Sequence, residues 1–142
     1  MRFSEIITIA IASSCLVFMG CDSTRIGSGV SVVEANRSVH QKFDIPPTAE
    51  DVRYSSNITH TTVDLKISRG NFLSWSRKKG WNCEPIRSEE PEIRYTLQED
   101  GSFGDTQLVH DGLSFDEKDG DFGFFGVFDS RVGRATVIFS SR

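Results

Sequence analysis

The sequence predicts an α+β domain, with one antiparallel sheet of about six strands and one main helix packed on one face of the sheet. Alternating apolar and polar residues, separated by Asp-Gly turns, fill most of the second half of the chain. One stretch, from about Arg69 to Lys79, has helix signals at both of its ends. The chain has 142 residues, which is the usual size of a single domain. The predicted organisation is a signal peptide over 1–20, a linker over 21–31 and the domain over 32–142.

The first 20 residues have the composition of an export signal. Arg2 provides a positive start, an apolar run extends from Ile6 to Met19, and the small residue Gly20 ends it. A helix needs about 20 apolar residues to cross a membrane, and this run is shorter and is interrupted by polar residues. Residues 1–20 are therefore predicted to be targeting sequence and not part of the fold.

The end of this run, Leu16-Val17-Phe18-Met19-Gly20-Cys21, resembles the processing site of bacterial lipoproteins. The resemblance implies cleavage between Gly20 and Cys21, a lipid thioether on Cys21, and acyl chains such as palmitate. Two or three such chains would anchor the protein firmly, whereas one chain anchors only marginally. The expected location is the cell membrane or the outer membrane, facing the periplasm or the exterior. The alternative is an ordinary secretory signal with an incidental cysteine.

The residues after Cys21 are predicted to form a linker and then an irregular start to the domain. Asp22 to Ser31 contain glycine and serine with few apolar side chains, which is typical of a flexible linker. A short helix is preferred for Val32 to Ile45, although the pattern fits no period well. Pro46-Pro47 ends that segment, and Thr48 to Asp51 are expected to form a brief helical turn.

A strand pair and the main helix come next. Alternation of apolar and polar residues over 52–58 and 63–67 predicts two half-buried strands. Ser68 then caps the helix, which is expected to end at Gly80 in a left-handed conformation. Trp81 and Cys83 are assigned to a following strand, which Pro85 ends.

The second half is predicted to be strand and turn. Strands are expected at 93–98, 108–110, 113–117, 122–128 and 135–139, with Asp-Gly turns at 100–101, 111–112 and 119–120. The Phe122–Phe128 strand is apolar on both faces, which places it inside the sheet.

Several of these packing and turn motifs together resemble small bacterial lipoproteins of unknown function. The resemblance covers roughly the last two-thirds of the chain, and it implies no activity. The motifs are Pro47-x-Ala49, Phe72-Leu73-x-Trp75, Gly80-Trp81, Gly112-Leu113, Val127-Phe128-Asp129, Gly133-Arg134-Ala135 and Ser140-Ser141-Arg142.

Charge and cysteine usage limit the possible functions. The net charge is −4 and removal of residues 1–20 leaves it unchanged, which argues against nucleic acid as a partner. After processing at Cys21, Cys83 is the remaining free thiol, so the sequence predicts no internal disulfide, and it contains no zinc-finger spacing. No cofactor is expected.

One concentration of basic and aromatic residues is a candidate binding surface for lipid phosphates or an acidic cell-wall polymer. The alternative interpretation is a solvated helix end, with both tryptophans in the core. The residues are Arg69, Trp75, Arg77, Lys78, Lys79 and Trp81.

Two further candidate chemical sites are a cysteine nucleophile and an acidic stretch. Cys83 is a possible nucleophile if His60 or His110 acts as its base and Asp111 orients the imidazole, as in a thiol-dependent hydrolase. The acidic stretch Asp116–Asp121 lacks the spacing of a calcium loop and is interpreted as a solvated hairpin turn, so no metal is expected.

The sequence therefore favours a membrane-anchored, non-enzymatic envelope protein that binds an envelope protein or a cell-wall component. The alternatives are the thiol-dependent hydrolase and a structural assembly factor.

Overall fold

A computed structural model describes residues 24–39 and 43–141. The predicted signal peptide, Gly20 and Cys21 lie outside these residues. Strands account for 53% of the structure, and the described part contains two short helices. In chain order the elements are β1 (Arg25–Val30), α1 (Val32–Ser38), β2 (Glu50–Ser56), β3 (His60–Lys66), α2 (Arg69–Lys79), β4 (Glu84–Pro85), β5 (Glu92–Leu97), β6 (Phe103–Val109), β7 (Gly112–Asp119), β8 (Phe122–Asp129) and β9 (Arg134–Ser141).

Seven strands form one antiparallel sheet in the order β1-β2-β3-β9-β8-β7-β4, and β5 and β6 form a separate two-stranded sheet. The antiparallel α+β prediction is confirmed, but the single sheet of about six strands is wrong. The edge of β7 is occupied by β4, where Glu84 pairs with Ser114 and Pro85 pairs with Leu113. The β5–β6 hairpin lies between β4 and β7 in sequence. Because β4 already pairs with the outer edge of β7, the hairpin does not extend the large sheet and instead packs across one of its faces.

The β1 strand corrects the prediction of a flexible linker over 21–31. Residues 25–30 pair with β2, with Ile26 opposite Ser55 and Gly27 opposite Tyr54. A side chain at Gly27 would collide with the Tyr54 ring, so the glycine allows the strand to lie close against it. An edge strand needs only main-chain partners, which explains why this segment lacks the apolar pattern of a core strand.

The first helix is shorter than predicted, and the helical turn predicted after it is not present at Thr48–Asp51. Helix α1 ends at Ser38 and does not reach Ile45. The Asn36 side chain donates to Ile45 O at 3.0 Å and accepts from Ile45 N at 2.8 Å, which fixes the returning chain beside the helix. The chain turns at Pro47–Thr48, and β2 already begins at Glu50, so the helical turn over Thr48–Asp51 is wrong.

Helix α2 has the predicted bounds and caps. The Ser68 hydroxyl accepts from Asn71 N at 3.2 Å, and Gly80 ends the helix with φ of 76°. Phe72 and Trp75 are buried against the sheet, and the Phe72 ring stacks on Phe128 with 5.3 Å between the ring centroids. The helix thus covers one face of the large sheet, as expected. No helix among the described residues is long and apolar enough to cross a membrane.

The opposite face of the sheet is covered by the β5–β6 hairpin and contains a buried cluster of charges. Asp64 on β3 accepts from Arg94 at 3.4 Å and from Arg134 Nε at 3.0 Å. The same carboxylate accepts the backbone N–H of Leu97 at 3.2 Å. Asp64 and Arg94 are each 3% exposed, so the ion pair is enclosed between the two sheets. Asp64 therefore helps to attach the hairpin to the large sheet, together with Thr136 Oγ1, which donates to Tyr95 O at 2.7 Å, and Arg53, which donates to Leu97 O at 3.0 Å.

Candidate functional site

One cleft of the described residues lies where the end of α2 meets the β7–β8 hairpin. Its volume is about 360 Å³. Gly80 ends the helix, so Lys79 and Trp81 lie at the mouth of the cleft, and the hairpin provides the opposite wall. The residues that line it are Lys79, Gly80, Trp81, Glu117, Lys118, Asp119, Phe122 and Phe124.

The apolar part of the cleft is built on Trp81, which the aromatic core fixes in place. Phe115 stacks on the indole with 4.6 Å between centroids, and Trp75 meets it edge-on at 5.1 Å. Phe124 approaches at 5.2 Å, so Trp81 is only 7% exposed. A ligand would therefore contact the edge of Trp81 rather than its face, together with Phe124 and the 40% exposed Phe122.

The rim of the cleft is charged, with both signs present. Glu117 accepts the backbone N–H of Asn82 at 2.9 Å, so one of its oxygens is already used within the protein. Lys79 and Lys118 form no ion pair with any residue that the structure describes. The rim thus combines Lys79 and Lys118 with Glu117 and Asp119 beside an aromatic surface, a combination suited to a ligand that has both charged and apolar parts.

The predicted basic and aromatic surface is not one patch, and only Lys79 and Trp81 reach the cleft. Trp75 is in the core, where its indole N–H donates to Phe43 O at 2.9 Å. Arg69 donates to Ser130 Oγ at 3.3 Å. Arg77 is exposed on the helix and does not line the cleft.

Lys78 forms an exposed ion pair with Asp44 at 3.0 Å. The hydrogen bond from Lys78 and its charge lower the pKa of Asp44. This pair lies at a different groove, formed by Asp44 and the Pro46–Thr48 turn against α2, and so separates Lys78 from the Lys79 cleft.

The sequence interpretation missed the contribution of the β7–β8 hairpin to the cleft. Lys118 belongs to the stretch interpreted as a solvated acidic turn, and Phe122 and Phe124 to a strand placed inside the sheet. The hairpin register, with Glu117 opposite Phe124, brings the two stretches together beside Trp81. The Asp119-Gly120 turn between two alternating strands was the signal for this pairing.

Cys83 is packed against the core. Neither His60 nor His110, the two candidate bases, is its hydrogen-bond partner. Its thiol donates to Ser76 Oγ at 3.1 Å, and burial raises its pKa, with a further contribution from Glu117. His60 Nδ1 is bonded to Thr59 Oγ1 at 2.9 Å. His60 begins β3, and Cys83 directly precedes β4. Three strands, β9, β8 and β7, lie between β3 and β4, which corresponds to a separation of roughly 19 Å at the usual strand spacing.

His110, the second candidate base, also has another partner. His110 Nδ1 lies 3.0 Å from Ser88 O, and the neighbouring Asp111 accepts the backbone N–H of Ser130 through its carbonyl. Neither contact involves Cys83. The described residues thus contain no pairing of a thiol with an imidazole base.

The acidic stretch Asp116–Asp121 forms the end of β7 and a tight hairpin turn. Asp119 pairs with Phe122, and Gly120 has a φ of 59°, as the first central residue of a two-residue turn requires. No group of three or more histidine, cysteine, aspartate or glutamate residues in 24–39 and 43–141 has the arrangement of a metal site.

No family model matches the chain, and the comparisons with curated proteins and with solved structures give no match.

Proposed function

We propose that this chain is a lipoprotein of the bacterial cell envelope, anchored through Cys21, whose domain acts as a non-enzymatic binding module. The observation that carries the anchor is Gly20-Cys21 at the end of the Ile6–Met19 apolar run. The acyl chains on Cys21 would hold the domain at the cell membrane or the outer membrane, facing the periplasm or the exterior.

The cleft beside Trp81 supports the binding part of the proposal. Its aromatic edges and the ammonium groups of Lys79 and Lys118 suit a partner in which anionic groups lie next to apolar or sugar-like surface. An acidic cell-wall polymer has this chemistry, and so does a matching patch on an envelope protein. The cell-wall polymer is the partner to test first.

The alternative function, a thiol-dependent hydrolase, needs a low-pKa thiol and a base beside it. Burial shifts the pKa of Cys83 in the opposite direction, and its hydrogen-bond partner is Ser76. His60 and His110 have other partners. These contacts support a binding role over a hydrolytic one.

The anchor is tested by the mass of the amino-terminal peptide of protein expressed in bacteria with its own signal. We expect a peptide that begins at Cys21 and carries acyl mass, and a Cys21→Ala variant that carries none. An unmodified peptide, or one cleaved elsewhere, would contradict the anchor.

The cleft is tested by co-sedimentation of the purified protein with isolated cell-wall sacculi. The variant Lys79→Glu/Lys118→Glu reverses both charges of the rim, and Arg37→Glu/Lys66→Glu makes the same change in net charge at exposed positions outside the cleft. We expect sedimentation to be lost in the first variant and kept in the second. Equal sedimentation of the two variants would mean that the cleft is not the binding site, whatever the mass of the amino-terminal peptide.

A further inference from the structure

The register of β1 fixes the end of the sheet to which the tether leads. The tether is the short stretch of chain that joins Cys21 to Arg25. β1 runs antiparallel to β2, and its first residue, Arg25, is opposite Ser56, the last residue of β2. The chain before Arg25 therefore meets the sheet at the end where the β2–β3 hairpin turns. Cys21 precedes Arg25 by four residues, which span at most about 14 Å.

The turn of this hairpin carries the most exposed large apolar side chain of the described residues. Ile58 is 84% exposed. The Asn57 side chain accepts the backbone N–H groups of Thr59 at 3.0 Å and His60 at 2.8 Å, and Asn57 N donates to His60 O at 2.9 Å. These bonds fix the turn in the conformation that presents Ile58 to the outside.

The charges around the two hairpin turns at this end differ. Arg25 lies beside the Ile58 turn and lines the same shallow groove as Ile58. The β7–β8 turn, which carries Asp119 and Asp121, is at the same end because Ser141 pairs with Phe122 and its N–H donates to Thr59 O at 2.8 Å. The Ile58 turn is adjacent to the entry of the chain from Cys21, whereas the acidic turn and the cleft beside it lie three strand spacings, about 14 Å, farther along the same end, so contact through the Ile58 turn leaves the cleft outside the bilayer.

We infer that the Ile58 turn, residues Asn57–His60, rests in the headgroup region of the bilayer that holds the Cys21 lipid. This inference rests on the proposed lipidation of Cys21. A tether of four residues keeps the Arg25 end of the sheet within reach of the bilayer, and an exposed apolar side chain beside the positive charge of Arg25 suits its interface. The β8–β9 turn, at the far end of an eight-residue strand, then stands about 27 Å away from the membrane.

The test places a fluorescent label at each end of the sheet. Ile58→Cys and Val132→Cys are made separately in a Cys83→Ser background. Val132 is also an exposed apolar turn residue, at 44% exposure, in the β8–β9 turn. Acylated Cys21 has no free thiol, so the label reacts at the introduced cysteine alone. The full lipidated protein is placed in phosphatidylcholine and phosphatidylglycerol vesicles, with and without a quencher attached to the lipid headgroup.

We expect the label at position 58 to lose most of its fluorescence to the lipid quencher and the label at position 132 to lose none. Hydrogen exchange of the unlabelled protein gives a second measurement that needs no substitution. We expect vesicles to slow exchange over 57–60 and not over 130–133. Equal quenching at the two positions, or unchanged exchange over 57–60, would overturn the inference.

The mass of the amino-terminal peptide from the same preparation separates this inference from the proposed function. Acylated Cys21 with equal quenching at positions 58 and 132 would leave the anchor in place and overturn the orientation. Unmodified Cys21 would overturn both, because the tether on which the orientation depends would not exist.

Discussion

On the helix side of the large sheet, β3 and β9 bury Val63, Leu65 and Val137 in the core that also contains the rings of α2. On the hairpin side the same two strands bury Asp64 and Thr136 against Arg94. One face is therefore held by aromatic and aliphatic packing, and the other by a compensated charge. The two faces differ in what a substitution removes: contact area on the first, and the partner of a buried ion on the second.

This comparison changes the meaning of alternation in β3. The sequence predicts a half-buried strand there, because Asp64 and Lys66 alternate with Val63 and Leu65. The structure buries every residue from Thr61 to Leu65. Asp64 faces a second covering element that provides partners for it, whereas Lys66 at the strand end is exposed, so from Thr61 to Leu65 alternation marks two buried faces of different chemistry and not one solvent-exposed face.

The largest effect is expected for Asp64→Asn, which removes charge with almost no change of shape. Arg94 and Arg134 would keep their charges without the carboxylate, and Arg94 is enclosed between the sheets. Removing one partner of a buried ion pair costs about 3–5 kcal/mol. The loss is measured as the change in free energy of unfolding in urea.

The control for this change is Asp51→Asn. Asp51 also binds Arg134, at 2.7 Å, but it is half exposed, so its loss should cost less than about 1 kcal/mol. If the two variants unfold at the same urea concentration, the charge between the sheets does not hold the hairpin.

A smaller effect is expected for Phe72→Leu on the helix side. Phe72 is fully buried and packs on Phe128 and Phe115. Leucine keeps the apolar character and most of the volume, so we expect a loss of about 1–2 kcal/mol in the same urea experiment. A loss larger than that of Asp64→Asn would reverse the ranking of the two faces.

The reactivity of Cys83 reports on the packing of the helix side without a change in the core. Burial raises the pKa of its thiol, so the thiolate is a minor species at neutral pH. We expect slow alkylation by iodoacetamide that accelerates about tenfold per pH unit, with no plateau at the ordinary pKa of a cysteine. Cys83 in urea-unfolded protein is the control, and its rate should level off at lower pH. A plateau near neutral pH in the folded protein would indicate an activated thiol.

An element of the fold is predictable when the interactions that determine it join residues close together in the sequence. The start and end of α2 depend on Ser68 and Gly80, which act on their own neighbours. Both ends of the helix were predicted correctly. The docking of the separate β5–β6 sheet depends on long-range contacts such as Asp64 with Arg94, thirty positions apart, and Thr136 with Tyr95. No local pattern encodes these contacts. The β1 strand was missed because an edge strand is specified by its neighbour's main chain rather than by its own side chains.

For the same reason, the sequence predicts only the part of the candidate cleft that comes from the end of α2. Lys79 and Trp81 follow from the end of α2 and were in the proposed surface. Lys118 and Phe122 come from the β7–β8 hairpin, and their position beside Trp81 depends on how the hairpin packs against the helix end. Sequence periodicity gives the hairpin but not the element that it meets.

The smallest effect is expected at the exposed pair of Asp44 and Lys78, which provides the contrast to Asp64 and Arg94. Asp44 has a φ of 44°, a conformation that asparagine also tolerates, so Asp44→Asn removes the charge without new backbone strain. Exposed ion pairs contribute about 0.5 kcal/mol, because water screens the charges. Lys78 lowers the pKa of Asp44, so the contribution is present at neutral pH and is lost as the pH falls through the lowered value. A double-mutant cycle with Lys78→Met, followed by urea unfolding at neutral and acidic pH, measures the coupling. A coupling energy near that of the buried pair would mean that burial is not what makes the charge between the sheets important.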